Sequence, residues 1–559
     1  MTAPNQAVPV PDHDAWEHDP SSRWWFEHLV PAGEARSGHE ETLHAVGRAV
    51  GSTELRDAAD RANRNEPELV AWTPYGERVD DVRFDPSWHQ VLHAVTASGV
   101  CGLPWNDAES GYLVRAAAME LWGRLDIGVM CPVTMTAAAV PVLQRDVDGP
   151  GAQLAAAILR AADAGRGVSH PLMGMAMTEP QGGSDLSTST TTATDLGDGT
   201  FALNGHKWFC SHPVADGLLV LAREPDGTPG IGAGSRGLSC FLVAGWLPDG
   251  SRNGIRIQRL KDKLGTRSLA SGEVILEGAI GTRIGEPGRG VPTIIEMVVH
   301  TRMDCVLGSA GVLARAVGEA VAHTRGRAAF GRLLVDQPAM RMVLADLVLE
   351  REGALALAWE VARGFQHRDP VNRLVTAVSK YWVTRRAVLG CIECVEVLGG
   401  NGYTEELPLA RLYRDAQVNS TWEGSGNVMA LDVLRALASD PTLADAAVAR
   451  IEQLIAGADE ELAAPVTSFA HRRISVPGSE HDARRYAGRL ALGLQAALLV
   501  HRAVASADPA HRAAAVAFVA TRLEPAPERV FGDGDDRLAD AADALLALAP
   551  TPGAVTVPA

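Results

Sequence analysis

The chain has 559 residues, 46% of them hydrophobic, enough material for about three or four domains of ordinary size. A formal net charge of -17 argues against a protein that coats nucleic acid with its whole surface, while leaving a local basic patch open. No uninterrupted apolar run approaches membrane-spanning length, and the first twenty residues are polar and acidic where a signal peptide would be basic and then apolar, so the expected location is the cytoplasm.

Residues 1–37 read as an N-terminal arm, marked by the prolines of NQAVPVPDH. From Gly38 to about Gln144, apolar residues recur at three- and four-residue spacing, through HEETLHAVGRAV, ELRDAADRA and SGYLVRAAAMELWGRLDIG. That spacing predicts an N-terminal helical domain over residues 38–174. Over residues 175–290 the texture changes to β-branched and aromatic runs cut by turns, such as TFALNGHKWFCS, GLLVLARE and LSCFLVAGW, which predicts a β domain. Within it, Asn204-Gly205 is a short-range hairpin signal. The helical period returns over residues 291–438. A further helical region follows at 439–559, ending in TPGAVTVPA, which has no period and is expected to be loose.

Seven cysteines are scattered, and the single CIEC at Cys391 and Cys394 lies in a helix-like stretch, where buried free thiols are expected and no metal site is. Positive charge is almost all arginine; Lys207, Lys261, Lys263 and Lys380 are the only lysines.

Four segments carry chemistry. In MAMTEPQGGSD, the adjacent Gly182 and Gly183 followed by Ser184 can turn backbone N–H groups toward a phosphate, with Thr178 and Ser184 adding hydroxyls; a plain loop is the alternative. In GHKWFCS, strand alternation puts Trp208 and Phe209 on opposite faces, one to lie on a planar ring and one to fill the core, with Ser211 beside them. RGRAAFGRLLVDQ pairs guanidinium groups with Phe330 and Gly331, offering charge for phosphate and a ring for adenine, or is a solvated helix end. The longest runs from EVLGGNG, with Glu396, Gly399 and Gly400, to VNSTWEGSGN, where Trp422, Gly424, Ser425 and Asn427 surround Glu423 as cofactor contacts around a base.

In this order the segments resemble the acyl-CoA dehydrogenase superfamily, and RANRNEPELVAW, CPVTMT, LPDGSRNGIRIQRLKDKLG and TRMDCVLGSA resemble its AidB branch, flavoproteins induced by DNA alkylation. The resemblance spans roughly Asn5 to Leu437 and fades in the last block. It implies an α+β fold with an N-terminal helical domain, a central antiparallel β-barrel or sandwich, a C-terminal four-helix bundle and an extra helical region. It also implies FAD between the β domain and the bundle, held by Thr178, Ser184 and the Gln181–Gly183 backbone, with Phe209 against the flavin and Ser211 near N5.

Arg327, Phe330 and Gln337 match the motif that reaches FAD of a neighbouring subunit, which implies a homotetramer, with a dimer as the competing assignment. Glu396 stands where many relatives have glutamine. Glu423 matches the family's base, which removes the α-proton of an acyl-CoA while hydride leaves from the β-carbon to flavin N5. The family's alternative base position reads Thr301-Arg302 here and is empty. The branch is also associated with weak dehydrogenase activity and with double-stranded DNA binding through a basic C-terminal surface. Here Arg472, Arg473, Arg484, Arg485 and Arg489 make a cluster, but Glu460, Glu461, Asp533, Asp535 and Asp536 flank it, and a salt-bridged helical face is the expected account.

Overall fold

The computed structural model describes residues 5–7, 9–164, 170–225, 230–476, 478–523 and 536–550, without the side chains of Asp536 and Ala539. The expected loose tail and the side chains of Asp533, Asp535 and Asp536 lie outside the described residues. The chain divides into two compact units, one of Asp57–Asp107 and Asp126–Thr301, the other of Met1–Arg56, Ala108–Leu125 and Arg302–Ala559.

The first unit is built on seven strands: β1 Met173–Ala176, β2 Thr192–Asp195, β3 Thr200–Ser211, β4 Gly217–Arg223, β5 Leu238–Ala244, β6 Ile255–Leu260 and β7 Ser271–Ile284. Strand β3 pairs antiparallel with β7 from Thr200↔Thr282 to Ser211↔Ser271. From β7 the ladder passes to β5 and β4, then in parallel to β1, which returns to β3 through Met175↔Ser211. The pairing thus closes into a barrel, with β6 added on β7. Inside, alternate residues of each strand meet, among them Leu218 and Val220, Phe241 and Val243, Val274 and Leu276.

Asn204-Gly205 does not make the expected hairpin. Both residues lie inside β3, and the turn into that strand falls at residues 196–199, where Gly197 and Gly199 take φ of 84° and 88°. Glycine is needed at 205 for a different reason, since a Cβ there would stand 2.2 Å from Thr191 Oγ1. The region read as all-helical also contains an antiparallel hairpin, Glu68–Trp72 with Arg78–Arg83, turning at Gly76 with φ 83°. Its two strands are too short to interrupt the helical period on either side.

The second unit is helical. It includes Pro338–Gln366, Asn372–Leu398, Leu409–Asn419 and Gly426–Ser439, and from the last block Thr442–Leu454, Glu460–Arg473, Ala483–Ala505 and Pro509–Arg522. Cys391 and Cys394 are free and buried within Asn372–Leu398. The segment read as an arm contains the helix Pro20–Leu29, capped by Asp19 and burying Trp25 and Phe26. A buried ion network ties its start into the unit: Asp19 bridges Arg124 and Arg351, and Glu352 bridges Arg351 and Arg502 at 2.6 Å each. With Glu120, which meets Arg124 at 2.6 Å, three carboxylates face three guanidinium groups, the compensation under which such groups tolerate burial. The 37-residue helix Gly290–Gly326 is long and apolar enough to cross a membrane by composition, and its apolar window is buried within the protein, as a core helix is. The fold is that of an N-terminal helical region, a middle β domain and a C-terminal helical region.

Candidate active site

The barrel unit forms the TEPQGGSD loop around one buried carboxylate. Glu179 accepts from Lys207 Nζ at 2.8 Å, from the Thr190 N–H and hydroxyl at 2.8 and 3.0 Å, from the Thr191 hydroxyl at 2.6 Å and from Gln181 Nε2 at 2.6 Å. Burial pushes its pKa up, but the Lys207 charge and these bonds outweigh that and hold it at about 2. Lys207 is fully buried and spends a second donor on the Leu221 carbonyl at 2.8 Å. Glu179 and Gly182 also exchange backbone bonds of 2.9 and 3.1 Å, closing the turn.

What the loop leaves exposed suits a phosphate. A Cβ on Gly182 would stand 2.3 Å from Thr188 Oγ1, and one on Gly183 2.9 Å from Thr178 Cγ2, so the backbone surface there is bare by necessity. Among the described residues, the hydroxyls of Thr178 and Ser184 and the N–H groups of Gly183 and Ser184 have no partner. The Gln181 side chain is committed inside the loop, so only its backbone is on offer.

Strand β3 carries the aromatic pair at a bulge, where Trp208 and Phe209 together oppose Glu273 between Lys207↔Val274 and Cys210↔Gly272. The expected placement on opposite faces is therefore not found: the Lys261 ammonium lies 3.3 Å from the Trp208 ring centre and 5.2 Å from that of Phe209. Trp208 is further covered by Arg259 and edged by His206, whereas Phe209 remains 52% exposed. Ser211 follows at the end of the strand, its hydroxyl also without a partner among the described residues.

In the helical unit, Glu423 sits in the turn between Leu409–Asn419 and Gly426–Ser439. Its φ is 56°, in the left-handed region, and Gly424 follows at 102°. A non-glycine residue there costs about 1 kcal/mol or more and persists only where its surroundings enforce it. The enforcement is visible. Lys380 Nζ donates to the Trp422 carbonyl at 2.7 Å and to the Gly424 carbonyl, and Arg302 Nε donates to the Glu423 carbonyl at 3.0 Å, so three successive carbonyls are held by two buried cations.

Arg302 also reaches Asp432 at 3.0 Å, and Arg373 meets the same carboxylate at 2.8 Å. On the other side, Trp422 Nε1 donates to Asn419, which donates to Ser309 at 3.0 Å. Glu423 Oε2 is sealed from solvent, and burial pushes the neighbouring Cys305 thiol up to about 12, keeping it neutral. Ser425 and Asn427 are exposed at the start of the next helix.

The remaining candidates lie on two other features of this unit. Ala328–Ala329 and Arg332–Leu333 form a two-residue hairpin whose turn is Phe330-Gly331, with φ of 52° and 83°, and Phe330 is 99% exposed at its tip. Arg327 donates to the Asn5 carbonyl at 2.8 Å and Gln337 to the Ala329 carbonyl at 2.9 Å, so both brace the hairpin. Glu396, Gly399 and Gly400 are exposed at the end of Asn372–Leu398, and nothing lies within 4 Å of a Cβ built on either glycine.

Residues 5–163 match the adaptive response protein AidB N-terminal domain, residues 174–279 the acyl-CoA dehydrogenase middle domain, and residues 288–438 the acyl-CoA dehydrogenase C-terminal domain. Over 411 residues the chain is 43% identical to the AidB protein of Escherichia coli K12, covering 71% of this chain and 73% of that protein. The chain belongs to the acyl-CoA dehydrogenase family, in its AidB branch. Acyl-CoA dehydrogenase family member 11 of Caenorhabditis elegans is 32% identical over 465 residues, 80% of this chain and 75% of that protein. The solved structure of Caenorhabditis elegans ACDH-11 in complex with C11-CoA has a TM-score of 0.87 at 29% identity, covering 94% of both chains. Megasphaera elsdenii butyryl-CoA dehydrogenase, at 22% identity and a TM-score of 0.61 over 73% of this chain and 99% of that chain, shares the fold.

This AidB-branch chain is an oxidoreductase whose cofactor is FAD. The bare glycine backbone, the uncommitted hydroxyls and N–H groups beside it and the half-exposed Phe209 fit that dinucleotide. Sequence reasoning missed the residues beneath these features: Glu179 and Lys207 under the loop, and Lys380, Arg302 and Asp432 under the Glu423 turn. One signal was present. In a chain whose cations are nearly all arginine, two of the four lysines, Lys207 and Lys380, occupy these two buried positions.

Proposed function

We propose that the protein oxidises acyl-CoA thioesters, with Glu423 as the base that takes the proton from the carbon α to the thioester carbonyl. The observation that carries this reading is the Glu423 turn itself, a left-handed glutamate whose own carbonyl and both neighbouring carbonyls are fixed by buried cations. Bound FAD supplies the acceptor for the β-hydride. Thr178, Ser184 and the Gly183 N–H would bind its phosphates and ring edge, Phe209 would lie against its ring system, and Ser211 would offer a hydroxyl. A bound acyl-CoA in the Caenorhabditis elegans relative supports the substrate class. Anaerobic addition of saturated acyl-CoAs of graded chain length to the FAD-loaded protein tests it: at least one bleaches the flavin absorbance, and bleaching by none overturns the reading.

The working form is a homotetramer. Phe330, almost fully exposed in a turn that disfavours its φ, lacks any reason within one chain to be large and apolar. Phe330→Ser is expected to shift the sedimenting species to smaller size and to release FAD. An unchanged tetramer with full FAD content excludes Phe330 from the assembly.

A second activity is supported by the arginine cluster. Of Arg472, Arg473, Arg484, Arg485 and Arg489, only Arg485 has a carboxylate partner among the described residues, Asp482. Arg489, with its pKa lowered by burial and by the charges of Arg485 and Arg473, records their mutual repulsion. Glu460 and Glu461, neighbours in sequence, start the helix that Arg472 and Arg473 end, and Glu461 pairs instead with Arg512 at 2.7 Å. The cluster is thus less neutralised than its sequence context suggests, which favours binding of double-stranded DNA. Duplex affinity should fall steeply with salt and drop roughly tenfold in an Arg484→Gln/Arg485→Gln variant; equal affinity in the variant overturns this activity.

A further inference from the structure

Lys380 is 1% exposed and lies on Asn372–Leu398, well inside the helical unit. Its ammonium has no carboxylate in ion-pair contact among the described residues; its partners are the carbonyls of Trp422 and Gly424, on either side of Glu423. A buried lysine without an ion pair is costly, so a structural benefit has to offset it. Hydrogen-bonding two carbonyls could be done by a neutral amide. What only a cation adds is charge.

Of the carboxylates around it, the one this charge acts on is the base. The other carboxylates packed around it are engaged elsewhere: Asp432 by Arg302 and Arg373, and Asp304 by Arg115 through two bonds. Burial lowers the Lys380 pKa, and the groups that draw it back up are the Cys305 thiol and the Glu423 carboxylate, against repulsion from Arg302. Burial keeps the thiol in its neutral form at working pH, its pKa pushed up to about 12. Were Glu423 to accept a proton from solvent, the cluster would hold uncompensated buried positive charge. A compact ammonium also fits where two carbonyls converge, which a planar guanidinium does not, and this accounts for a lysine in an arginine-rich chain.

We propose that Lys380 is the positioning residue of the base: one ammonium clamps the carbonyls before and after Glu423 to aim its carboxylate, and the same charge keeps that carboxylate ionised and ready to take the substrate proton. This rests on the reading of Glu423 as base.

The test uses the full-length, FAD-loaded protein and the variants Lys380→Met and Lys380→Gln, the second keeping a donor without the charge. Two quantities are read against pH: the rate of anaerobic flavin reduction by an acyl-CoA, and the carboxyl infrared band of Glu423 in isotope-labelled protein, assigned by its absence in Glu423→Gln. Removing a cation makes a neighbouring carboxylate easier to protonate, so in both variants the acid limb of the rate and the infrared titration move together to higher pH. Lys380→Met also loses the clamp and reduces roughly 100-fold more slowly, whereas Lys380→Gln loses roughly tenfold. Folded, FAD-loaded variants whose acid limb and infrared titration coincide with wild type overturn the proposal. If Lys380→Met does not fold, Lys380→Gln carries the test alone. If Glu423→Gln leaves the rate intact while the Glu423 band still moves in the Lys380 variants, the reading of Glu423 as base fails and the coupling between the two residues stands.

Discussion

Glu423→Gln is expected to slow reduction of bound FAD by a saturating acyl-CoA roughly a thousandfold, with FAD content unchanged and the melting temperature lowered, because the buried Lys380 charge loses its counter-charge. The size follows from chemistry, since a primary amide cannot accept the α-proton at any accessible pH and no side chain at Thr301-Arg302 can replace it. The specificity follows from geometry. The bonds that hold the turn run to the backbone carbonyls of residues 422, 423 and 424, which the substitution leaves in place. Glutamine matches glutamate in shape and tolerates the φ of 56° equally well, so no strain is added. Glu423→Asp provides the complementary measurement. It keeps a carboxylate but withdraws it by one methylene, and a misplacement of that order costs roughly 100-fold. A Glu423→Gln variant that bleaches at the wild-type rate removes Glu423 from the chemistry, and with it the proposed mechanism.

The parts of this site legible in sequence are those set by local rules. The strand runs announced β3, β4 and β5 because strands buried in a barrel wall select β-branched and aromatic residues. The glycines at 182 and 183 were legible because a bare backbone has a composition, and Glu423 because its motif did. Asn204-Gly205 misled for a physical reason: the dipeptide is favoured in a tight turn, but glycine is equally required where a side chain approaches a strand, and Thr191 does so there. The Trp208 and Phe209 alternation failed because a bulge adds one residue, which no period of two can foresee. Of the acids expected to neutralise the arginine cluster, Glu460 and Glu461 lie at the far end of their helix from Arg472 and Arg473, a distance that sequence proximity conceals. Lys380 was illegible because its partners are backbone carbonyls 42 and 44 residues away, which have no side-chain identity to read.

Lys207→Met should be the most destabilising single change in the barrel unit. It leaves the Glu179 carboxylate buried without its cation, a loss of about 3–5 kcal/mol, and should lower the first thermal transition by roughly 10 °C. The dependence on pH distinguishes this cause from simple loss of packing. In the wild-type protein Glu179 titrates at about 2, below its ordinary 4.5, so its stabilisation is complete above the unfolded carboxylate range and is lost as the pH falls toward 2. Without Lys207, burial becomes the dominant influence and raises the folded value above the unfolded one. The variant is then most stable below the unfolded value and loses stability as the pH rises. The melting deficit relative to wild type should therefore be greatest near neutrality and narrow toward pH 4, the opposite of what acid does to a protein held by ion pairs. FAD content should fall in parallel, because Glu179 also anchors Gln181, Thr190 and Thr191, which shape the glycine loop. A deficit equal at both pH values means that Glu179 is not carrying a charge in the folded state, and the loop is then held by hydrogen bonds alone.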